Sequence, residues 1–335
     1  MPGSFCGLVV GLAGTVESEE LAVLLQQFRF AFLGGLGASL LSRRHRLGEL
    51  AHALTAKAIK SRIGNIEDIA QITSAMNAIA MTKVTRLKRR LAHIRPYFSE
   101  LESFTRKLAG QRAKDAEPHS LMLDRGDERA AILVLNSDRG LCERYKGELN
   151  RAAEAELEAA GPSARILAGG EKARAYFARR GIEPLRSYVN VYEPPTWEAA
   201  VRIADEAMDL YRRGDIGRVK IVHMTFVSDL AQRLTVTGLL PVAVDPEPSE
   251  SLVEPDLATA LANTMPLYVR VKLYAAMLET KTSEDAIRRQ AMRNATDNAE
   301  DLLETLRRSY NRARQQSITR EIADIQGGAE ALRAK

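Results

Sequence analysis

KSRIGNIEDIAQITSAMNAIAMTKV, Lys60–Val84, is the stretch that decides the fold. Its apolar residues recur every three or four positions, and the same beat continues on both sides. It takes in Ile59, Ile63, Ile66, Ile69, Ile72, Met76 and Ile79, then Leu87, Leu91, Ile94, Phe98, Leu101, Phe104 and Leu108. With Lys83 as the one polar occupant, fourteen steps carry this stripe 49 residues from Ile59 to Leu108, a mean of 3.5. That is the heptad period of a coiled coil, although helix bundles share it. A helix of that length is a rod of about 75 Å. Pro96 falls inside it as a candidate kink.

A second helical region runs from about Leu257 to Leu332. Leu257, Leu261, Tyr268, Val271, Ala275 and Leu278 start its stripe, with Pro266 as an early start or bend. From Thr280 to Asn298 the face is polar and small. Leu303, Leu306, Tyr310 and Ala313 restore it, followed by Ile318, Ile322 and Ile325, and Gly327-Gly328 reads as a stop signal or a weak last turn. Between the two rods the rhythm changes. Short β-rich runs (AILVLN from Ala131, RILAG from Arg165, SYVNVY from Ser187, VKIVHMTF from Val219, QRLTVTGLLPV from Gln232) alternate with helical stretches. That alternation marks an α/β layer with a largely parallel sheet. The expected fold class is therefore α+α/β, with N- and C-terminal helices forming a long antiparallel coiled coil that flanks a Rossmann-like lobe. Its divisions are a poorly ordered extension (1–56), the first coil helix (57–110), the lobe with its linkers (111–250) and the second coil helix (251–335).

Composition agrees. Hydrophobic residues make up 45% but aromatics only 5%, lean for a compact enzyme and suited to long helices with thin seams. Cys6 and Cys142 form no disulfide framework and show no metal-ligand spacing. The apolar runs FCGLVVGLA and FAFLGGLGASLL of the extension are shorter than the ~20 residues needed to span a bilayer. The acids Glu17, Glu19 and Glu20 argue against a mitochondrial presequence.

Recognisable catalytic chemistry is missing. The sequence contains no Walker A loop, no GxGxxG after a strand, no HExxH and no GxSxG. Gly169-Gly170, at a strand-to-helix turn, could approach a phosphate, but tight turns need glycine more often. Asp138 and Arg139 stand at the end of a strand, where α/β sites are usually built. Charge is more telling. No acid occurs between Asp68 and Glu100, while Lys83, Arg86, Lys88, Arg89, Arg90 and Arg95 form a basic collar. A solvated helix normally mixes both signs, so the collar should meet an acidic surface. One alternative is a coiled-coil adaptor for nucleic acid, although the collar lacks interleaved aromatics for stacking. Another is a nucleotide-binding lobe built on Asp138 and Gly169.

The residues themselves carry a resemblance. Lys60–Val84 is similar to the N-terminal helix of ATP synthase gamma subunits, and NSDRGLC (Asn136–Cys142) to their central strand-loop motif. AMRNATDNAEDLLETLRRSYNRARQQSITREIADIQGGAEAL (Ala291–Leu332) resembles their C-terminal signature nearly throughout. The likeness covers roughly Lys57 to Leu332. It implies a non-catalytic rotor subunit, without cofactor or metal, whose coil enters a ring of three alpha and three beta subunits. Its lobe would face epsilon and the membrane c-ring, at the cytoplasmic face of a bacterial inner membrane, with no span of its own and no nucleic-acid partner. Met76 and Lys83 would lie level with the moving ends of beta. Arg86, Arg89 and Arg90 would meet acidic beta surfaces, and Arg288, Gln315 and Thr319 would touch beta near the catalytic interfaces. One departure stands out: the family usually continues DRGLCGG.N, whereas this chain reads DRGLCERYKGELN, which puts the turn after Cys142 in question.

Overall fold

The computed structural model describes residues 37–111, 119–126, 129–249 and 252–333, with side chains from residue 56 onward. Helix α1 (Gly37–Gly110) leads into β1 (Ala130–Leu135), α2 (Tyr145–Ala160), β2 (Arg165–Gly169), α3 (Glu171–Arg179) and β3 (Arg186–Tyr188). Then come α4 (Trp197–Arg213), β4 (Arg218–Phe226), β5 (Gln232–Leu240) and helix α5 (Leu257–Arg333). Two compact units result: residues 66–302 form one, and the start of α1 with α5 from Leu303 onward forms the other.

In the larger unit the sheet has the order β3-β2-β1-β4-β5. The first four strands are parallel, and β5 returns antiparallel to β4 at the edge. Every residue of central β1 is buried, as expected of a parallel strand covered on both faces. Its period-2 alternation divides two cores. Leu133 and Leu135 join Leu167, Ile221, Leu239, Ile203 and Met208 with Met265, Val269 and Leu273 of α5. Ile132 and Val134 face Tyr145 and Leu149 of α2 and Phe177 of α3. The long helices thus form one wall of the lobe.

Within this unit α1 and α5 run antiparallel. The Thr73 and Thr296 hydroxyls are 2.8 Å apart, Arg95 pairs with Glu279 at 3.0 Å, and the Tyr268 hydroxyl donates to Glu102 at 3.2 Å. The covered positions of α1 are Ile66, Ala70, Thr73, Asn77, Ala80, Val84, Leu87, Leu91, Ile94, Phe98, Leu101, Thr105 and Leu108. Twelve steps over these 42 residues keep the 3.5 period. The expected stripe has the right period, yet from Ile69 to Lys83 it is displaced by one position, while Ile59, Ile63 and Ile66 keep theirs. Ile69, Ile72 and Ile79 are exposed, and small or polar residues occupy the seam beside them. Small seam residues let two helix backbones approach closely, and the isoleucines are left on the outside. Phe104, also assigned to the stripe, is half exposed, and Thr105 takes its place.

Helix boundaries also move. α1 starts at Gly37, so residues 37–56, expected as extension, are helical; residues 1–36 lie outside the described residues. No proline interrupts 37–56, and Ala, Leu, Arg and Glu favour the helix. α5 continues through Gly327-Gly328 to Arg333. Each glycine costs about 1 kcal/mol relative to alanine, too little to end a helix among Ile325, Ala329, Ala331 and Leu332.

On β4, His223 is buried against the long-helix wall, and its Nδ1 has no partner among the described residues. Burial, aided by the Lys272 ammonium, pushes its pKa down from 6.5 to about 4. A depressed folded-state pKa contributes stability that is complete above pH 6.5 and lost as pH falls through about 4. Chemical denaturation across that window should show the parent losing up to about 3 kcal/mol more than His223→Gln.

Candidate functional site

Where α5 passes the carboxyl ends of β1 and β4 its residues are polar, yet they are buried. Thr280, Lys281, Thr282, Ser283, Glu284, Asp285 and Arg288 are all at most 7% exposed. A helix can carry polar groups into a core only if each finds a partner, and here the lobe supplies them. The Met224 amide donates to Thr280 Oγ1 (3.1 Å), and Ser283 Oγ donates to the Met224 carbonyl (3.4 Å). Tyr145 Oη, at the start of α2, donates to the Thr280 carbonyl at 3.2 Å. Burial, with Glu284 next in effect, holds that phenol well above its ordinary range.

Charges at i, i+3, i+4 and i+7 complete the junction. Lys281 Nζ lies 3.0 Å from both Glu284 and Glu193, and 3.8 Å from Asp285. Arg288 pairs with Glu284 and Asp285 and reaches the Gly140 carbonyl at 3.3 Å. Burial alone would lower the Lys281 pKa, but Glu284, Asp285 and Glu193 together hold it above the ordinary value. Burial raises the Asp285 carboxyl, whose Oδ2 has no partner among the described residues. Glu193, in the β3–α4 connection, also receives Arg139 at 3.0 Å and Lys83 at 3.9 Å. One carboxylate thereby touches α1, α5 and the loop after β1.

That loop answers the question left by the missing glycines. Leu141 (φ 62) and Glu143 (φ 46) adopt the left-handed region, and Arg144 (φ −78) is helical and stands at the N-terminal boundary of α2 without a side-chain capping bond. The turn is kept with a strained glutamate in place of a glycine. Asp138 closes the candidate phosphate site. Its Oδ1 accepts the Glu171 amide at 2.9 Å, and the Ser137 carbonyl accepts that of Lys172 at 3.0 Å, so the α3 N-terminus is already capped from within. Gly169 and Gly170 are there for packing. A Cβ would lie 2.0 Å from Tyr192 Oη at the first and 2.4 Å from the Asn136 carbonyl at the second.

The residues named from sequence separate into groups. Arg288, expected to reach a partner, is buried with its guanidinium spent on Glu284, Asp285 and Gly140; its helical spacing to two acids is what draws it inward. Met76 and Lys83 are half-buried beside the seam. Lys88 and Arg95 of the collar pair with Asp229 and Glu279, and Arg90 donates to the Pro195 carbonyl at 3.3 Å. Arg86 and Arg89 are exposed with no partner among the described residues. In the other unit Gln315 and Thr319 are exposed, Thr319 Oγ1 donating to the Gln315 carbonyl at 2.9 Å. Lys281, Glu284, Asp285 and Glu193 were missed. The alternation of sign in KTSEDAIRR, with every charge matched within one helical turn, was the available signal.

A family model described as ATP synthase matches residues 55–332. An ATP synthase gamma chain of Desulfitobacterium hafniense is 34% identical over 83% of this chain and 99% of its own length. One from Mycolicibacterium vanbaalenii is 36% identical over 84% and 98%. The chain belongs to the ATP synthase gamma-chain family. Solved structures share the gamma-chain fold. A chain of the Euglena gracilis mitochondrial ATP synthase aligns at TM-score 0.61 and 18% identity, covering 84% of this chain and 96% of that one. One from the Tetrahymena thermophila enzyme aligns at 0.52 and 20%, covering 67% and 99%. As a gamma chain it is the central-stalk subunit of an ATP synthase, a membrane-bound complex. Among its described residues no helix is long and apolar enough to cross a membrane.

Two measurements follow from the junction. Lys281→Met leaves Glu284 and Asp285 buried beside one cation fewer. It should destabilise the chain by about 3–5 kcal/mol in urea unfolding, the cost of breaking a buried ion pair from one side. The two positions after Cys142 should respond with opposite sign. Glu143→Gly relieves a left-handed residue and should raise stability by roughly 0.5–1 kcal/mol, whereas Arg144→Gly, at a helical φ, should lower it.

Proposed function

We propose that this gamma chain is a shaft that carries torque and contributes no catalytic group. The carrying observation is the junction of Thr280–Arg288 with Met224, Tyr145, Gly140 and Glu193, which fixes the coil to the lobe through buried polar contacts. A shaft has to move as one piece with the part that rests on its drive. The capped α3 N-terminus supports the non-catalytic assignment, since the place a nucleotide phosphate would take is filled by Asp138.

The outward surface of the coil offers two kinds of contact. Ile69, Ile72 and Ile79 form an exposed apolar row at helical spacing, and Met76 lies between them. An apolar row can slide along a partner without fixed polar bonds. Lys83, Arg86, Arg89 and Arg90 add a basic band, and Gln315 and Thr319 a polar pair near the end of α5. These residues are the contacts we assign to beta; Arg288 acts inside the chain. The partners are the alpha and beta ring around the coil, with epsilon and the c-ring at the lobe, on the cytoplasmic face of a bacterial membrane. That setting supplies the acidic counterpart the basic band requires.

Affinity purification of the chain from its native source should recover alpha, beta and epsilon with it, and their absence would defeat the assignment. The collar divides further. Arg86→Glu with Arg89→Glu should weaken binding to the alpha–beta ring by roughly tenfold at low ionic strength, and far less at high, because exposed charges are screened. Lys88→Glu with Arg95→Glu should instead lower the melting temperature of the isolated chain, since their partners Asp229 and Glu279 are its own.

A further inference from the structure

The smaller unit contains more helix than the family accounts for. Residues 37–65 of α1 and 303–333 of α5 belong to it, helical lengths of 29 and 31 residues. The family match begins only at residue 55, and the gamma chains of D. hafniense and M. vanbaalenii align over nearly their whole length while covering only 83% and 84% of this chain. Residues 37–54 are therefore extra helix, adding about 27 Å of backbone at the standard rise.

Burial on α5 shows what this helix covers. Leu303 is buried, and Leu306, Tyr310, Ala313, Ser317 and Asp324 are half-buried at steps of three, four, three, four and seven. One face is covered as far as residue 324. The apolar neighbours Ile318, Ile322 and Ile325 are exposed. A lone helix would hide Ser317 and Asp324 no better than Ile318, so a second element must lie along that face. Ala56, Ile59 and Ile63 of α1 keep the same beat on the opposing helix. Two antiparallel helices of equal rise cover each other residue for residue. An α1 starting at residue 55 would reach back eleven residues from Asn65 and shield α5 only to about residue 313. Cover at Ser317 and Asp324 requires the earlier segment.

We infer that residues 37–54 form a second strand for the end of α5, turning what would be a single projecting helix into a two-helix tip. This consequence rests on the function proposed above: for the tip to enter the ring, the opening must admit a body about 20 Å across, against about 10–12 Å for one helix.

Hydrogen exchange on the isolated full-length chain tests this apart from any ring. Two variants are compared with it: one lacking residues 2–54, and Leu47→Pro, which breaks the helix from within. In both, amides of residues 313–333 should exchange at least about tenfold faster than in the parent, because a short unsupported helix opens readily. Amides around Val84–Leu91 should keep their rates, reporting an intact larger unit. Unchanged exchange at 313–333 in both variants, or no protection there in the parent, would overturn the inference. Failure of the chain to recover alpha and beta would instead defeat the proposed function and leave the exchange result standing.

Discussion

Lys281, Glu284, Asp285 and Arg288 constrain everything around them, because one face of one helix has to place four charges in a core. Removing an ion from water costs several kcal/mol, recovered only where the partner geometry is complete. Advancing α5 by one residue would turn these groups by about 100° and shift them by about 1.5 Å. Lys281 would leave Glu193, and Arg288 would leave the Gly140 carbonyl. The apolar contacts of Met265, Val269 and Leu273 could accommodate such a slip with modest loss; the ionic contacts could not. Hydrophobic burial holds coil and lobe together, and the charges decide in which register.

The same economy of polar groups governs the open end of the Rossmann-like layer. Its strands end, as in binding folds, beside a glycine pair and a helix N-terminus. Here Asp138 caps that helix, Tyr192 packs against Gly169, and α5 lies across the ends of β1 and β4. The surface that would receive a ligand is occupied by the chain's own structural helix. A gamma chain thus uses the open end of the sheet as a mounting for its coil.

Period, strand order of appearance and helix type were all legible in the sequence, because they depend on local spacing. Side-chain facing was less so. Ile69, Ile72 and Ile79 were read into the seam on the premise that large apolar groups are buried, while Ala70, Thr73, Asn77 and Ala80 take that place. The premise suits a seam filled by large side chains and misleads where small and hydroxyl residues line it. Arg288, named through its resemblance to a family contact position, is buried in this chain, and the acids three and four residues before it disclose its internal pairing. Residues 37–56 were assigned to a poorly ordered extension because the family resemblance begins only near Lys57, although Leu40, Leu47, Leu50 and Leu54 recur there at helical spacing.

The Thr73–Thr296 contact joins residues 223 apart in the chain. On a ribosome adding about 5–20 residues per second, Thr73 is made roughly 10–45 s before its mate in the coil exists. Throughout that interval α1 displays both its seam and its outer isoleucines. The lobe can gather β1 through β5 meanwhile, but the wall completing one of its two cores comes last. Biogenesis of this chain is thus set by a wait, and the length of the lobe fixes how long the first helix must be kept from associating with the wrong surface.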